Sequence, residues 1–423
     1  MKLSQFNIIF DNAGKSYITN TFSKGIIELD EHHRNIISDK RLDLLTENEI
    51  ALLLEKGFAV EDDIDEIGLL RYRSYKQRNS KEEMEFVIAP TLDCNFTCKY
   101  CFEKKRSGKM SKETQKKVLD YIFRITDTED NKRIHIIWFG GEPLLYPDIV
   151  LNMNMAIFEY CQAKGKTLKS DVITNGFLLS EKLIGELIKC HIEHLQITID
   201  GNRELHNQRR VLSNGLPTYD TIYNNLKLFR GTTLTVTLRI NIDKSNVNSI
   251  SELERDIQKL KNENIACSPA LVEVSNHHFE DIKSTCISED DELYDYYNNS
   301  YLKKYFSSQS SLDYGLRLFF CEAEHYYSFA IDEIGNVYKC WNSLGVEKDI
   351  YCTVEDETPN PAILSTYFSR DPFTESKCIS CPYIPICAGG CLMQRKLRNN
   401  DNYCSDCKYT FINAAIKEIE NSH

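Results

Sequence analysis

Apolar and polar positions alternate regularly between residues 84 and 275. Short runs rich in apolar and β-branched residues predict six strands, at 85–89, 133–139, 170–173, 194–199, 234–242 and 270–274. Helical periodicity follows the first five strands, most clearly at 112–124, 147–163 and 181–189. This alternation predicts a parallel sheet with crossover helices. The fold class is therefore α/β, and six such units predict a partial (β/α)6 barrel or an open wound sheet.

The flanking segments have different patterns. Two β-like runs precede two helical patterns in residues 1–83, at 6–10, 17–28, 42–54 and 64–77. This order predicts an N-terminal α+β segment, either a peptide-binding module or a cover for one end of the barrel. Residues 276–320 are largely polar and are read as a linker, whereas residues 321–423 form a cysteine-rich C-terminal domain.

Charge and composition exclude several classes of protein. The chain has 51 Lys and Arg against 63 Asp and Glu, a formal net charge of −12, which argues against a nucleic-acid partner held by phosphate attraction. Its apolar runs are far shorter than the roughly 20 residues of a membrane helix, and the N-terminus lacks the apolar core of a signal peptide. We therefore expect a cytoplasmic protein without a membrane partner, in which the 16 cysteines are mainly metal ligands.

Unusual residues cluster where the predicted strands end. Cys94 follows the first strand, and turn or polar segments follow the others, at 140–143, 174–176, 200–201 and 239–241. Because α/β folds assemble their sites at the carboxyl edge of the sheet, we expect an active site there.

Cys94, Cys98 and Cys101 place three thiolates on one short loop. A structural zinc site needs four ligands, and no fourth Cys or His lies nearby. A three-thiolate [4Fe-4S] cluster leaves one iron open. The spacing and the following Phe102 resemble the radical S-adenosylmethionine (SAM) superfamily. The resemblance implies that SAM binds the open iron and is cleaved by one electron to methionine and a 5′-deoxyadenosyl radical. It also implies a low-potential electron donor such as flavodoxin or ferredoxin.

Other segments resemble the SAM-binding motifs of this superfamily. Gly140, Gly141 and Glu142 match its GGEP turn, whose exposed edge and carboxylate would meet the methionine ammonium. Thr198 and Arg210 match residues that contact the ribose or the carboxylate, with Arg209 as a competitor for the arginine's role. The resemblance adds two further SAM contacts, Tyr100 and Asn175.

The C-terminal cysteines resemble the SPASM extension of radical SAM enzymes, which carries two auxiliary [4Fe-4S] clusters, making three clusters in all. By this resemblance Cys378, Cys381 and Cys387 belong to one auxiliary cluster, and Cys321, Cys340 and Cys391 to the other. Cys404 and Cys407 compete for the remaining positions, unless one iron stays open for substrate. Zinc ribbons are the alternative, because Cys-x2-Cys pairs also bind zinc.

Residue 341 bears on the substrate class. Sulfatase-maturing relatives carry an aspartate base directly after the cysteine that matches Cys340, whereas this chain has Trp341. Together with the N-terminal segment, this favours the branch that modifies ribosomally made precursor peptides by thioether or carbon–carbon crosslinks or by epimerisation. Sulfatase maturation and other SPASM chemistry, such as quinone-cofactor or amine biosynthesis, are the alternatives. A non-catalytic metal-bound scaffold is the alternative from another class, although the key cofactor-contact residues are all present.

Overall fold

A computed structural model describes residues 1–127, 131–272, 284–287, 290–298, 316–397, 404 and 407–421. The chain forms two compact units, each built from separate stretches of sequence. The first comprises residues 1–78, 290–321 and 370–423, and the second comprises residues 79–289 and 322–369. The N-terminal segment therefore shares a unit with most of the cysteine-rich C-terminal part. Much of the predicted linker, and residues 273–274 of the last predicted strand, lie outside the described residues.

Short strands and helices make up most of both units. The strands are β1 Lys2–Leu3, β2 Asn7–Asn12, β3 Lys15–Asn20, β4 Ile26–Leu29, β5 Ala59–Val60, β6 Glu83–Ile88, β7 Arg133–Trp138, β8 Thr167–Thr174, β9 His194–Thr198, β10 Thr235–Ile242, β11 Ile265–Leu271, β12 Ser328–Ile331, β13 Asn336–Tyr338 and β14 Cys352–Thr353. The helices are α1 Glu31–Ser38, α2 Glu47–Glu55, α3 Glu66–Arg78, α4 Lys112–Thr126, α5 Pro147–Lys164, α6 Glu181–Lys189, α7 Arg203–Arg209, α8 Tyr219–Leu226, α9 Ile250–Leu260, α10 Asp290–Asn298, α11 Pro361–Phe368, α12 Ser376–Ile379, α13 Ile384–Cys387, α14 Leu392–Leu397 and α15 Cys407–Asn421.

The second unit is built on a parallel sheet. Strands β6 to β11 lie side by side in chain order, and each pairs in parallel with the next. Strand β12 adds to the other side of β6, also in parallel, and β13 and β14 extend the sheet in antiparallel fashion. The predicted α/β class with a parallel, barrel-like sheet is confirmed. The pairing of β12 with β6 was not predicted, because it joins segments far apart in the sequence.

Local sequence explains several element bounds. Helix α5 begins at Pro147, because the first helical residue has no intrahelical partner for an N–H group and proline lacks that group. The helix ends before Gly165, whose φ of 66° lies in the left-handed region. The Ser180 side chain accepts from the Leu183 amide and caps α6. The last parallel strand begins at Ile265 rather than at residue 270 as predicted. It is an edge strand, so Pro269, which interrupts the strand pattern, can be tolerated there.

Strand β10 gives the sheet two chemically different faces. Its burial alternates, with Val236, Leu238 and Ile240 buried, while Arg239 and Asn241 on the other face are partly exposed. Apolar residues thus secure the strand in the core, and polar residues occupy the face that lines the cavity described below.

The first unit contains a three-stranded antiparallel sheet, β2-β3-β4, and the pair β1 and β5. The predicted strand 17–28 divides into β3 and β4 around Lys24, which has a positive φ of 66°. Helix α1 was not predicted. Its start is fixed by Asp30, whose side chain accepts from the His33 amide.

Helix α3 packs against the C-terminal part of the same unit. Leu70, which is fully buried, joins Phe6, Phe373 and Ile384 in one apolar cluster. Arg71 pairs with Asp371 at 2.5 Å. In the described part of the chain, no helix is both long enough and apolar enough to span a membrane.

Candidate active site

A cavity of about 300 Å³ lies in the second unit, where the parallel strands end. The predicted cluster cysteines Cys94, Cys98 and Cys101 all line it. Most of the predicted SAM contacts line it as well, namely Tyr100, Gly140, Gly141, Asn175, Thr198 and Arg210. Phe102, Arg239, Asn241 and Trp341, which the sequence pattern had already singled out, line it too, and residues without a predicted role complete the wall, namely Glu103, Phe139, Gln196 and Asn342. The carboxyl edge of the sheet therefore carries the cavity.

The three cluster-loop thiols are close enough to influence one another. Burial raises the pKa of Cys94 and of Cys101 to about 12, and the Cys98 thiol adds to both shifts. Burial also raises the pKa of Cys98, against the opposing charge of Arg210. In the described part of the chain, no group of three His, Cys, Asp or Glu side chains is positioned to bind a metal ion. Three soft sulfur donors on one cavity wall nevertheless suit an iron–sulfur cluster, whose positive iron would offset the cost of burying thiolates.

The glycine pair is required by close packing against the cluster loop. The Gly141 amide donates to the Thr91 carbonyl at 3.2 Å, and the Glu142 amide donates to the Asp93 carbonyl at 2.9 Å. A Cβ on Gly141 would overlap the Asp93 carbonyl oxygen, and Gly140 has a φ of 108°. This turn therefore supports the backbone that leads directly into Cys94.

Glu142 is buried and its carboxylate is occupied within the protein. One oxygen accepts from the Leu144 amide at 3.0 Å and the Thr174 hydroxyl at 2.7 Å, and the other accepts from the Asn175 amide at 2.7 Å. Burial raises the pKa of Glu142, against these hydrogen bonds, which lower it. The family resemblance implied that this carboxylate meets the methionine ammonium of SAM. In the structure its hydrogen bonds join the ends of β7 and β8.

Tyr100 is the centre of a hydrogen-bond network that joins several strand ends. Its hydroxyl donates to Asp200, and it accepts from Arg210 at 2.7 Å and from the Asn241 side chain at 3.2 Å. The other Asp200 oxygen accepts from the Asn241 amide at 3.0 Å. Arg210 is buried, and its Nε has no hydrogen-bond partner among the described residues. A buried guanidinium in a cavity is a suitable partner for a ligand carboxylate.

The two adjacent arginines have different partners. Arg209 donates to Asp243 at 2.6 Å and to Ser245 at 2.8 Å, whereas Arg210 lines the cavity. Burial lowers the pKa of His206 well below its usual value, and both arginines act in the same direction. The Asp200 amide donates to His206 Nδ1, which indicates a neutral imidazole with its proton on Nε2.

Aromatic residues form one wall of the cavity. The Trp341 and Phe139 rings lie 5.3 Å apart, and Phe102 stacks on Phe139 at 6.3 Å. Among the described residues that line the cavity, Glu103 is the one carboxylic acid, and burial raises its pKa to about 8. The wall is therefore largely apolar beside Trp341.

Asp332 and Glu333 lie upstream of Trp341 in the sequence but take no part in this wall. Both pair with Arg106, and Asp332 also accepts from the Ile334 and Asn336 amides and the Tyr338 hydroxyl. Both acids are buried. They stabilise the turn between β12 and β13.

The C-terminal cysteines are divided between the two units. Cys340 belongs to the second unit, directly before the short turn that carries Trp341. The others belong to the first unit, namely Cys321, Cys378, Cys381, Cys387, Cys391, Cys404 and Cys407. Burial raises the pKa of Cys381, and the Cys387 and Cys404 thiols add to the shift. Cys407 is buried at the start of α15, in an apolar cluster with Ile386.

The segment that carries most of this site resembles known proteins. Residues 88–258 match the radical SAM superfamily. The chain is 24% identical over 387 residues to the radical SAM cyclopropyl synthase TigE of Paramaledivibacter caminithermalis, covering 80% of this chain and 75% of that protein. It is 21% identical over 374 residues to the cysteine-type anaerobic sulfatase-maturating enzyme of Clostridium novyi, covering 78% and 95%.

Two solved proteins share the fold. Native anSMEcpe with bound AdoMet superposes with a TM-score of 0.62 at 16% identity, covering 80% of this chain and 98% of that one. Streptococcus suis SuiB superposes with a TM-score of 0.55 at 18% identity, covering 95% and 98%. SuiB has also been solved bound to the precursor peptide SuiA.

Proposed function

We propose that this chain, whose residues 88–258 match the radical SAM superfamily, is a SPASM-type peptide maturase acting on a ribosomally made precursor. The modification is a thioether or carbon–carbon crosslink, or an epimerisation. The observation that carries the proposal is Trp341, which stands on the cavity wall where a sulfatase maturase would need a base. The precursor-bound relative SuiB supports a peptide substrate.

The radical SAM family implies SAM and a [4Fe-4S] cluster, and the cavity offers residues that suit both. Cys94, Cys98 and Cys101 would hold the cluster. Arg210 would bind the carboxylate of SAM through its buried guanidinium, and Thr198, which lines the same cavity, would be a hydroxyl partner. When bound, the two groups supply one-electron cleavage of the sulfonium. The chain's own contribution is to hold the ligand, exclude water and orient the target carbon.

A direct test is reductive cleavage of SAM by dithionite. The wild-type protein should release 5′-deoxyadenosine and methionine. Replacing Cys94, Cys98 and Cys101 together by Ala should abolish this cleavage while iron stays in the C-terminal region. Full cleavage by that variant would contradict the assignment of the cluster loop.

Trp341 is proposed to face the substrate rather than to hold SAM. Trp341→Ala should reduce peptide modification at least about tenfold, the typical cost of truncating an aromatic contact residue, while uncoupled SAM cleavage stays near the wild-type rate. Trp341→Phe, which keeps an aromatic wall, should retain most of the modification. Parallel loss of both reactions in Trp341→Ala would show that the residue is structural.

Sulfatase-type maturation is the second candidate, favoured by the likeness to the Clostridium novyi enzyme over 78% of this chain. A formylglycine-forming reaction needs a group that accepts a proton from the target thiol or hydroxyl. The indole of Trp341 is only a donor. The nearby Asp332 and Glu333 pair with Arg106, which makes them poor substitutes. We therefore prefer the hypothesis that the protein modifies a precursor peptide.

The C-terminal cysteines are proposed to hold two auxiliary [4Fe-4S] clusters. Cys378, Cys381 and Cys387 lie in one stretch of the first unit, and the Cys387 thiol acts on Cys381. Cys404 and Cys407 are both candidates for the fourth ligand, because the Cys404 thiol acts on Cys381 and Cys407 packs in one cluster with Cys387. The second cluster would use Cys321, Cys340 and Cys391, as the SPASM resemblance implies.

The N-terminal part of the first unit is proposed to capture the leader of the precursor. It holds a cavity of about 840 Å³ lined by Leu3, Ile9, Ile37 and Leu42, among others. Strand β2, which carries Ile9, is an edge strand, so an extended peptide could add to it. Ile9→Glu should weaken precursor binding much more than SAM cleavage without peptide. Equal loss of precursor binding and of SAM cleavage in Ile9→Glu would indicate that this segment has a structural role and does not bind the leader.

A further inference from the structure

The candidate active-site cavity carries an acidic group that the proposed function does not use. Among the described residues that line the cavity, Glu103 is the one carboxylic acid. Its Oε2 atom is buried and has no hydrogen-bond partner in the described part of the chain. Buried polar atoms are nearly always paired in folded proteins. An unpaired carboxyl oxygen on a cavity wall therefore points to a ligand that completes it.

Basic side chains around the cavity donate to other acceptors. Lys105, whose charge acts on Glu103, donates to the Phe96 carbonyl. Arg239 donates to the Asn241 side chain at 3.1 Å. Burial raises the pKa of Glu103, and the opposing charge of Lys105 offsets this only in part. A cation brought in by a ligand would remove the cost of burying the charged carboxylate.

Three aromatic side chains line the same cavity. Phe102 stacks on Phe139 at 6.3 Å, and the Trp341 and Phe139 rings lie 5.3 Å apart. Phe102 also directly precedes Glu103 in the chain. The faces of aromatic rings attract cations, and a carboxylate forms strong hydrogen bonds with charged N–H donors. Aromatic rings and a carboxylate in one cavity therefore favour a ligand group with a positive charge.

We propose that Glu103 binds a basic side chain of the precursor peptide, through its ammonium or guanidinium group. The inference rests on the proposed function, in which the cavity takes a residue of that peptide. An N–H group of the cation would donate to Oε2, and its alkyl chain would contact the aromatic side chains. Glu103 thus selects a peptide segment that carries Lys or Arg near the modified residue.

SAM itself carries an ammonium group, so the test must separate the two sources of positive charge. The probes are candidate precursors encoded beside the gene. Each is synthesised as a set in which one Lys or Arg at a time is replaced by norleucine, which has an alkyl chain but no charge. A contact with the peptide predicts that one replacement in this set and a change at Glu103 affect the same step.

The experiment is a double-variant cycle on the full-length, reconstituted protein. Glu103→Gln removes the charge at nearly constant size. The control is Glu193→Gln, because Glu193 is exposed and lies directly before β9, at the opposite end of that strand from the cavity. The rate of peptide modification at low peptide concentration is divided by the rate of SAM cleavage without peptide in the same protein. An effect on radical formation is thereby cancelled, and SAM binding is measured separately at equilibrium.

In wild type, one norleucine replacement should lower the modification rate at least about tenfold, as expected for loss of a hydrogen bond between charged groups. Glu103→Gln should lower the rate by a similar factor with the unaltered peptide. The same norleucine replacement should then have little further effect in Glu103→Gln, because both changes remove one contact. Glu193→Gln should match wild type with every peptide.

Three outcomes would overturn the proposal. The first is that the losses from Glu103→Gln and from norleucine multiply, which would show that the two groups do not meet. The second is that no Lys or Arg of the modified peptide affects the wild-type rate, a result that needs no protein variant to fold. The third is weaker SAM binding in Glu103→Gln with full sensitivity to norleucine, which would assign the carboxylate to the ammonium of SAM.

Failure of the proposed function would give a different result. Wild-type protein would then modify none of the candidate precursors, with or without SAM cleavage, and the Glu103 proposal would fall with it. Failure of the Glu103 site alone leaves modification of the precursor intact in wild type.

Discussion

Arg210 donates a hydrogen bond to the phenol oxygen of Tyr100 at 2.7 Å, although 110 residues separate them in the chain. Tyr100 precedes Cys101 on the cluster loop, whereas Arg210 follows α7. Asp200, at the end of β9, accepts from the same phenol. One hydroxyl group thus links the cluster loop to the strand ends that form the opposite side of the cavity.

The first prediction concerns the charge of Arg210. Arg210→Gln should weaken SAM binding about 10- to 100-fold, because a hydrogen bond to a charged group contributes roughly 1.5–3 kcal/mol. Equilibrium binding of SAM to reconstituted protein measures the effect. Arg203→Gln is the control, because Arg203 is exposed and pairs with Asp220 on the surface. Wild-type affinity in Arg210→Gln would remove this residue from the SAM site.

The second prediction concerns the glycine turn. Gly141→Ala places a methyl group against the Asp93 carbonyl and should displace the loop that leads to Cys94. Overpacking of this kind costs about 1–3 kcal/mol. Gly185→Ala is the matched control, since a Cβ there meets no atom within 4 Å. Iron analysis should find cluster-loop iron lost in Gly141→Ala and retained in Gly185→Ala. Equal iron in both proteins would contradict the packing argument.

The third prediction concerns stability at alkaline pH. His135 lies between Asp171 at 2.9 Å and Glu85 at 3.2 Å. Burial alone would lower its pKa, but these two carboxylates outweigh burial and raise it to about 9. Lys169 opposes them, and His194 lies beside Asp171.

Because the folded pKa exceeds the unfolded value of about 6.5, the protonated imidazole stabilises the fold below pH 6.5, and this stability is lost as the pH rises through 9. The shift corresponds to on the order of 3 kcal/mol. Thermal unfolding should show a larger decrease between pH 6.5 and 9 for wild type than for His135→Gln. Identical pH profiles for wild type and His135→Gln would show that the ion pairs of His135 with Asp171 and Glu85 contribute nothing to stability.

The fourth prediction concerns the number of clusters. Three [4Fe-4S] clusters require about twelve iron atoms per chain, and the Cys94, Cys98 and Cys101 triple variant should keep about eight. Iron and sulfide analysis of anaerobically reconstituted protein measures both values. Saturation near four iron in active wild-type protein, with zinc making up the balance, would remove the auxiliary clusters.

The local pattern of apolar and polar residues was sufficient to predict most helices and strands of the parallel sheet. Helix α6 has the predicted bounds, because its apolar spacing and its serine cap both lie within a short stretch of sequence. Strand β11 was placed too late, because Pro269 interrupts the strand pattern and only the sheet order reveals that it occupies an edge. The position of this strand in the sheet could not be inferred from the sequence.

Contacts between segments that are far apart in the sequence could not be predicted from the sequence pattern. Nothing in residues 66–78 indicates that Leu70 packs on Phe373, and nothing in the GGEP turn indicates that Glu142 is buried. The sequence also could not show that Arg209 donates to Asp243 while Arg210 lines the cavity. Trp341 could be identified from its position after Cys340, but its place beside Phe139 required the fold.

The most direct test of the central claim is the mass of the reaction products. The protein is incubated with SAM, a strong reductant and two kinds of peptide, namely candidate precursors encoded beside its gene and a sulfatase-type peptide with a Cys or Ser target. We expect the precursor alone to change. A crosslink would remove the mass of two hydrogen atoms, and epimerisation would leave the mass unchanged in ordinary water but add one deuterium in heavy water. Formation of formylglycine in the sulfatase-type peptide, with the precursor unchanged, would contradict the account.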